Sequence, residues 1–330
     1  MPHQPFLIRR ATMTSLKLKT LLATLALAAS GASMAQQSLL NVSYDVAREF
    51  YKDYNAAFAA HYKKTTGQAI VHSARLGADV VTMNTTTDVQ FLADSGVVAK
   101  DWSKKFPHDA SPTTSTMLFL VRNGNPKGIK DWDDLIKPGV QVIVVNPKTG
   151  GNGRYAYLAA WGAVREKGGT EAQAAEFVAK LYKNVPVLAK GGRDATATFL
   201  QRNIGDVLIT FESEVVSIDR EFGVGKVDSV YPSVSVVAEN PVAVVERTVA
   251  KKGTAQLAKA YLDYLYSDEA QEIAAKHAIR PRSEAVLKKH AATFKPLKQF
   301  TVAKYFGSLT EAQKVHFNDG GQFDKIYSTK

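Results

Sequence analysis

Short apolar runs alternate along the chain with stretches whose apolar residues recur every three or four positions. The runs predict buried strands at 39–44, 141–145 and 207–211, because strands in a covered sheet are apolar on both faces. The periodic stretches predict helices, which we expect at 45–58, 170–184, 195–200, 254–266 and 268–277. Alternating strands and helices are typical of α/β folds, so we predict mainly parallel sheets flanked by helices.

A glycine-rich turn, 146–154, joins the predicted strand 141–145 to an apolar helical stretch that begins at Tyr155. Glycines let successive backbone N–H groups converge, and the first turn of a helix adds unpaired donors and a partial positive charge. Similar helix starts follow Asp45 and the segment 190–194. The pattern predicts an anion-binding cradle, although an ordinary strand-to-helix connection has the same appearance.

The length of 330 residues favours two α/β lobes over a single core. Two extended apolar runs, 116–121 and 234–245, are interpreted as segments that cross between the lobes. Each run could equally be an ordinary sheet strand, because periodicity does not separate the two. No internal repeat or low-complexity linker interrupts the chain.

These crossings divide the chain into four parts. Residues 1–35 form a predicted signal peptide, and the first lobe combines 36–116 with 240–297. The second lobe holds 117–239, and a C-terminal tail, 298–330, is expected to pack across the lobes.

The N-terminus has the plan of a secretory signal peptide. Four basic residues precede the apolar stretch 21–29, and small residues at 33–35 offer a cleavage site. The mature protein is expected to begin near Gln36 and to be free in the periplasm, while Met13 is an alternative start. No later stretch is long and apolar enough to predict a membrane span.

Composition narrows the partners of the protein. The chain has no cysteine, so we predict neither disulfides nor a lipid anchor on a cysteine. Subtracting the four basic residues of the signal peptide from the net charge of +11 leaves +7, a balance that suits anion capture. Basic residues are dispersed among acidic ones, without a basic run interleaved with aromatics, so we expect no nucleic-acid partner.

The sequence gives little support to catalysis. Its seven histidines have no metal-ligand spacing, and no Gly-x-Ser-x-Gly motif is present. We therefore predict no catalytic residue, metal or cofactor. A catalytic group assembled only in the folded chain is the alternative.

Several motifs together resemble one known family. They are 39–45, 119–127, 130–135, 146–149 and 264–267, with a closing signature at 312–314 and 316–321. These motifs identify the chain, from about 39 to 327, as a member of the periplasmic sulfate-binding and thiosulfate-binding proteins of ABC importers. The resemblance implies a monomeric two-lobed clamshell of the type II class, which holds an oxyanion between its lobes and delivers it to an inner-membrane ABC permease.

The resemblance also implies which groups hold the ligand. In that family, backbone N–H groups at helix starts are the main donors. Carried over by motif, these donors fall at Asp45, Gly151, Asn152 and Gly192. Arg193 and Arg154 resemble family arginines that tie these turns together, although either could be a solvated surface residue.

The chain departs from the family pattern at three donors. Gly150 stands where the family has a serine, and Phe211 stands where it has a tryptophan. A donor loop expected after Val71 is absent, and His72–Ser73 is interpreted as its remnant, which makes Ser73 a candidate contact. Because a hydrogen bond to a charged group contributes about 1.5–3 kcal/mol, the loss of three could forfeit roughly 5–9 kcal/mol.

These departures suggest an altered ligand. Asp194 replaces a family glycine and adds an acceptor, which would favour an anion that still carries a proton. A protonated or organic oxyanion is therefore an alternative to sulfate or thiosulfate. A sensor or a non-binding relic that has lost transport is a further alternative.

Overall fold

The computed structural model describes residues 37–44, 47–72, 77–215, 218, 223 and 225–328. The predicted signal peptide and the candidate ligand residues Asp45 and Ser73 lie outside the described residues. Within the described ranges, no helix is both long and apolar enough to cross a membrane.

The strands are short and are distributed over the whole described chain. In order they are β1 (Gln37–Leu39), β2 (Asn41–Ser43), β3 (Ile70–His72), β4 (Val80–Thr82), β5 (Thr113–Ser115), β6 (Met117–Arg122), β7 (Val142–Val145), β8 (Leu188–Ala189), β9 (Val207–Phe211), β10 (Val227–Val230), β11 (Val234–Val236), β12 (Ala238–Asn240), β13 (Val242–Val244), β14 (Arg280–Pro281) and β15 (Lys298–Phe300).

The α-helices alternate with these strands. In order they are α1 (Arg48–Thr66), α2 (Thr86–Asp94), α3 (Gly151–Glu166), α4 (Glu171–Lys183), α5 (Gly192–Thr196), α6 (Glu246–Lys252), α7 (Ala255–Tyr264), α8 (Asp268–Lys276), α9 (Glu284–Lys289), α10 (Val302–Phe306), α11 (Leu309–Ala312) and α12 (Gln322–Tyr327). Shorter helical pieces are the 3₁₀ turns Trp102–Lys104 and Trp132–Ile136, the turn Pro107–Ala110, the stretch 212–215, and the π-helical segments Ala197–Gln201 and Gln313–Phe317.

Most of the predicted elements are confirmed. The strand 207–211 and the helices near 170–184, 254–266 and 268–277 appear as β9, α4, α7 and α8. Helix α4 begins where expected because Thr170 and Gln173 form a capping box. The helix predicted at 195–200 begins earlier, at Gly192, and becomes π-helical from Ala197.

The strand predicted at 39–44 is wrong in one respect, because it is divided at Leu40 into β1 and β2. The two pieces belong to different sheets. The cause is Asp79, which is fully buried: its Oδ2 accepts a hydrogen bond from the Leu40 N–H at 2.8 Å, and its own N–H donates to the Leu40 carbonyl at 2.8 Å. The Leu40 N–H is therefore taken out of the sheet ladder, while its carbonyl is shared between the N–H groups of Asp79 and Val80.

The apolar side chains gather into two large clusters. The first draws on 39–110 and 242–279, and includes Tyr54 and Tyr261. The second draws on 117–238 and 300–326, and a further cluster that includes Phe199 contains residues from the same five-stranded sheet. Each cluster is assembled from sequence segments that lie far apart, which gives the molecule its two lobes.

The prediction of mainly parallel sheets is wrong. Of the ten strand pairs in the described residues, five are parallel and five are antiparallel. The largest sheet, with the order β10-β6-β9-β7-β8, mixes both directions. Antiparallel pairing also joins β5 to β12, because the chain passes from one cluster to the other at β5 and returns at β12.

The C-terminal segment packs against the second cluster. Strand β15 pairs in parallel with β11, and Phe317 and Phe323 are buried in the cluster. Lys148, in the glycine-rich turn, forms ion pairs at 2.9 Å with Asp319 and Asp324. The segment also reaches the other side of the molecule, because α11 contacts α2.

Candidate functional site

The predicted anion cradle has the expected strand, turn and helix. Strand β7 ends at Val145, the turn follows, and α3 begins at Gly151 with Gly150 as its N-cap. The Gly150 carbonyl accepts the N–H of Arg154 at 3.2 Å. Because no helical turn precedes them, the N–H groups of Gly151, Asn152 and Gly153 have no carbonyl within the helix to bond to. The start of α3 can therefore donate to an anion.

The glycines of the turn permit close approaches. A β-carbon at Gly153 would overlap the backbone carbonyl of Val145, and one at Gly150 would lie 2.8 Å from the Val145 Cγ1. Gly150 therefore leaves room for Val145 where a side-chain hydroxyl would be crowded. Neither glycine has a positive φ, so the requirement is for space and not for backbone conformation.

The start of α3 faces the start of α2, which belongs to the other cluster. A β-carbon at Gly151 would overlap the Thr85 Cγ2 and would lie 3.1 Å from the Asn84 Oδ1. Thr85 is the N-cap of α2, and its hydroxyl accepts the Asp88 N–H at 3.3 Å. The two helix starts therefore meet across the cleft between the lobes.

Arg154 connects the same two helix starts. Its Nη1 donates to the Thr87 hydroxyl at 3.2 Å and lies 3.6 Å from an Asp88 carboxylate oxygen. Its Nε donates to the Pro147 carbonyl at 3.3 Å. The guanidinium thus bridges the glycine-rich turn to α2, which favours the interpretation that it ties the turns together.

Asn152 and Glu214 are buried together behind the start of α3. The Asn152 Nδ2 donates to the Glu214 Oε2 and to the Thr210 hydroxyl, each at 3.3 Å. The Asn152 Oδ1 is buried and has no hydrogen-bond partner among the described residues. Burial raises the pKa of the Glu214 carboxyl to about 7, although the Asn152 hydrogen bond lowers it.

Gly192 starts α5 beside the same carboxyl. A β-carbon at Gly192 would lie 2.6 Å from the Glu214 Oε1. The adjacent Arg193 is exposed. The Asp194 Oδ2 accepts the Lys190 N–H at 2.9 Å within its own turn, and its Oδ1 lies 3.6 Å from the Arg202 Nη2. Glu214 is the acidic side chain that lies at these helix starts.

Phe211 ends β9 and is buried. Its ring packs against Tyr155 at a centroid distance of 5.9 Å, and both residues belong to the second cluster. A phenylalanine at this position contributes apolar packing under the start of α3 and offers no hydrogen bond.

The structure thus brings together Gly150, Gly151, Asn152 and Gly192. It also adds residues that the sequence argument did not single out, namely Asn84, Thr85 and Glu214. Asn84 and Thr85 could have been noticed as a polar stretch that follows a buried strand. Glu214 gives no such signal, because acidic residues after a strand are usually solvated.

The described part of the site offers donors for an anion and not ligands for a metal ion. Across the described residues, no group of three or more His, Cys, Asp or Glu side chains is arranged to hold a metal ion. The donors at the cleft are backbone N–H groups, amides and hydroxyls, a chemistry that suits an anion.

Comparison with known protein families shows which proteins this chain resembles. The model of the bacterial extracellular solute-binding proteins matches residues 34–280. A thiosulfate-binding protein from Pseudomonas aeruginosa is 54% identical over 317 residues, covering 92% of this chain and 96% of the relative. A sulfate-binding protein from Escherichia coli K12 is 49% identical over 318 residues, covering 92% and 97%.

Solved structures agree with these relatives. The sulfate-binding protein SubI from Mycobacterium tuberculosis superposes with a TM-score of 0.73 at 30% identity, covering 83% of this chain and 98% of that one. A periplasmic thiamin binding protein shares the two-lobed fold, with a TM-score of 0.61 at 16% identity. The relatives are binding proteins and not enzymes, in agreement with the non-catalytic prediction. The chain therefore belongs to the bacterial extracellular solute-binding proteins, in the group of the sulfate-binding and thiosulfate-binding proteins.

Proposed function

We propose that this protein captures sulfate, thiosulfate or a related divalent oxyanion in the cleft between its lobes and presents it to an ABC permease. The observation that carries the proposal is the start of α3, where unpaired N–H groups at Gly151 and Asn152 face Asn84 across the cleft. The names of the relatives support the choice of ligand.

The number of donors is adequate for useful affinity. Micromolar capture requires about 8 kcal/mol, and a hydrogen bond to a charged group contributes about 1.5–3 kcal/mol. Roughly four such bonds therefore account for this binding free energy, before the entropic cost of binding is counted. We assign them to the N–H groups of Gly151, Asn152 and Gly192 and to the side-chain amide of Asn84, with Asp45 and Ser73 as further candidates. Gly150, Phe211 and Arg193 shape the site around these donors.

Lobe closure is the proposed mechanism of capture. The first lobe would comprise 36–116 and 240–297, the second 117–239, and the tail 298–330 would pack across them. An anion that accepts hydrogen bonds from both lobes binds the closed form more tightly than the open form, and so favours closure. The permease would then recognise the closed form.

The same proposal includes export and a simple quaternary state. A positively charged start, an apolar stretch and a small-residue site support cleavage of residues 1–35 and release into the periplasm. The absence of cysteine from the sequence supports a protein without a lipid anchor. We expect a monomer that does not bind nucleic acid.

Isothermal titration calorimetry with sulfate, thiosulfate, phosphate and molybdate tests the ligand. We expect binding of sulfate or thiosulfate in the micromolar range. Asn152→Asp places a second carboxylate beside Glu214 at the start of α3, and we expect it to reduce affinity at least a hundredfold. Asn203→Asp is the matched control, because it makes the same charge change at an exposed residue whose φ of 55° suits aspartate. Equal affinity in both variants would contradict the site, and no binding by any anion would contradict the function.

A further inference from the structure

Glu214 is an acidic side chain in an anion site. It is 6% exposed and lies in the helical stretch 212–215 that follows β9. Its Oε2 accepts the Asn152 amide hydrogen bond at 3.3 Å, and its Oε1 lies 2.6 Å from the position of a β-carbon at Gly192. The carboxyl therefore occupies the space between the starts of α3 and α5.

Two arginines on neighbouring segments of the chain are bonded to other groups. Arg154 bonds to Pro147 and Thr87, and Arg280 pairs with Glu212. In the described part of the chain, no salt bridge to Glu214 accompanies the Asn152 hydrogen bond. A buried carboxylate without a counter-charge is costly, which is why burial raises the pKa of Glu214 to about 7.

The Asn152 side-chain amide adds a second hydrogen-bond acceptor, its Oδ1, beside Glu214. The Asn152 side chain is 6% exposed, and its Oδ1 has no hydrogen-bond partner among the described residues. Sulfate and thiosulfate carry no proton at neutral pH and can only accept hydrogen bonds. A dianion at the start of α3 would therefore meet repulsion from an ionised Glu214.

We propose that Glu214 is a specificity-determining residue of the anion site, which binds the divalent oxyanion as a neutral acid and donates its O–H hydrogen bond to it. This inference rests on the proposed function and names how the same site distinguishes its ligand. The proton balance is simple. When Glu214 is ionised in the empty protein, one proton is taken from solvent for each dianion bound, and it is released when the anion leaves.

Other titratable groups lie near Glu214 and must be separated from it. On α5, Arg193 is exposed, and the Asp194 carboxylate accepts a hydrogen bond from the Lys190 N–H. Burial raises the pKa of the Tyr44 phenol well above its usual range, and Tyr51 and Glu214 raise it further. Tyr44 therefore supplies no competing proton near neutral pH.

Glu212 is another buried carboxyl, two residues away from Glu214. Burial raises its pKa as well, but two hydrogen bonds from Arg280 hold it as an ion pair. It can be tested separately from Glu214, because Arg280 and Tyr231 donate to Glu212 whereas Asn152 donates to Glu214.

Calorimetry with sulfate and thiosulfate at pH 6, 7 and 8, in two buffers of different ionisation enthalpy, measures the protons bound per anion. We expect uptake that rises toward one proton at pH 8. The dissociation constant should be nearly constant below pH 6 and should increase up to tenfold per pH unit above pH 7, since the ionised site must first take up a proton.

Glu214→Gln supplies a neutral donor of the same shape and should abolish both proton uptake and pH dependence, with affinity within about threefold of the original protein at pH 6. Asp194→Asn is the matched control, because the asparagine side chain can still accept the Lys190 N–H, and proton uptake should be unchanged. A thermal melt of each variant confirms folding. The measurement on the unmodified protein decides the proton count even if a variant does not fold.

The contrary results are distinct. Anion binding without proton uptake in the unmodified protein would overturn the role of Glu214 and leave the proposed function in place. Proton uptake that persists in Glu214→Gln would assign the proton to another group and would also overturn the role of Glu214. Preference for hydrogen phosphate without uptake would mean that the ligand brings the hydrogen, and would overturn the role of Glu214 as the donor. No binding by any anion at any pH would overturn both proposals.

Discussion

Arg280 holds Glu212 by two parallel hydrogen bonds, with its Nε donating to Oε2 at 3.0 Å and its Nη2 donating to Oε1 at 2.8 Å. The Glu212 side chain is 2% exposed and that of Arg280 is 13% exposed. Glu212 follows β9 of the five-stranded sheet, whereas Arg280 begins β14, which pairs with β5. The ion pair therefore joins the two lobes close to the crossing strands.

Removal of Arg280 should destabilise the protein in a pH-dependent way. Arg280→Met leaves the buried Glu212 without its counter-charge, a change that typically costs about 3–5 kcal/mol. Burial already raises the pKa of Glu212, and loss of Arg280, which lowers it, raises it further. Because the folded pKa then exceeds the unfolded pKa, stability is retained below the unfolded pKa and is lost as pH rises.

Chemical denaturation at pH 5 and pH 8 measures this effect, and we expect the larger loss at pH 8. Arg282→Met is the control, since Arg282 forms a more exposed pair with Glu239 at 3.3 Å, and it should cost no more than about 1 kcal/mol. Equal losses in the free energy of unfolding for the two variants would show that the Arg280 pair contributes no more to stability than the more exposed Arg282 pair.

Gly151 should be required for closure and hardly at all for stability. An alanine methyl group would overlap the Thr85 Cγ2 across the cleft, and Thr85 is fully buried and holds the start of α2. The lobes would have to separate to relieve the overlap, so we expect Gly151→Ala to weaken sulfate or thiosulfate binding at least tenfold. The unliganded protein should melt within about 2 °C of the original.

Gly191→Ala is the matched control for this prediction. Its β-carbon would meet no atom within 4 Å, and its φ of −171° is extended backbone that alanine adopts freely. Calorimetry should show affinity within about twofold of the original protein. A similar loss of anion affinity in both variants would show that any alanine at a helix start weakens binding, and that contact with Thr85 is not the cause.

Local signals predicted the parts of the fold that depend on neighbours in sequence. Helix α4 was predicted from the spacing of its apolar residues, and the strand, turn and helix around Gly151 from an apolar run followed by glycines and a helical stretch. The two-lobed α/β class and the family were also predicted. In contrast, the division at Leu40 depends on Asp79, which also binds Thr254 at 2.6 Å. No local pattern reveals a partner so distant.

The site was predicted in the same uneven way. The glycines at 150 and 151 stand out in the sequence because they lie between an apolar run and a helical stretch. Asn84, in contrast, faces Gly151 only after the lobes come together. Glu214 looks solvated in the sequence, and its burial results from packing beside Asn152 and Gly192. Contacts between lobes are set by tertiary structure, so composition does not disclose them.

Gly162 should be intolerant of alanine, although alanine is the better helix former. An alanine methyl group at this position of α3 would overlap the ring of Phe300, which is buried in β15. Glycine to alanine in a helix usually gains about 1 kcal/mol, whereas overpacking a core costs about 1–3 kcal/mol. We expect Gly162→Ala to lower the melting temperature by a few degrees.

The double variant Gly162→Ala with Phe300→Leu tests the cause. A smaller side chain at 300 makes room for the methyl group, so the double variant should be more stable than the sum of the single changes predicts. Simple additivity in thermal melts would mean that Phe300 is not the obstacle.

His316 should make the protein less stable in acid. It is 7% exposed, its Nδ1 lies 3.0 Å from the Tyr157 hydroxyl, and its ring meets Trp161 at a centroid distance of 4.8 Å. Burial lowers the pKa of His316 to about 4. Between pH 6.5 and pH 4 the unfolded chain therefore binds a proton that the folded protein does not, and stability falls as pH is lowered through this window.

His316→Gln keeps a hydrogen-bonding side chain next to Tyr157 and removes the titration. It should be less stable than the original protein at pH 7.5, because it loses ring packing against Trp161. The difference should shrink between pH 6.5 and pH 4.5 because glutamine takes up no proton. His290, which pairs with Glu272 at 2.8 Å near the surface, provides the control variant His290→Gln. Denaturation curves at several pH values measure the slopes, and an unchanged slope in His316→Gln would assign the acid sensitivity to other groups.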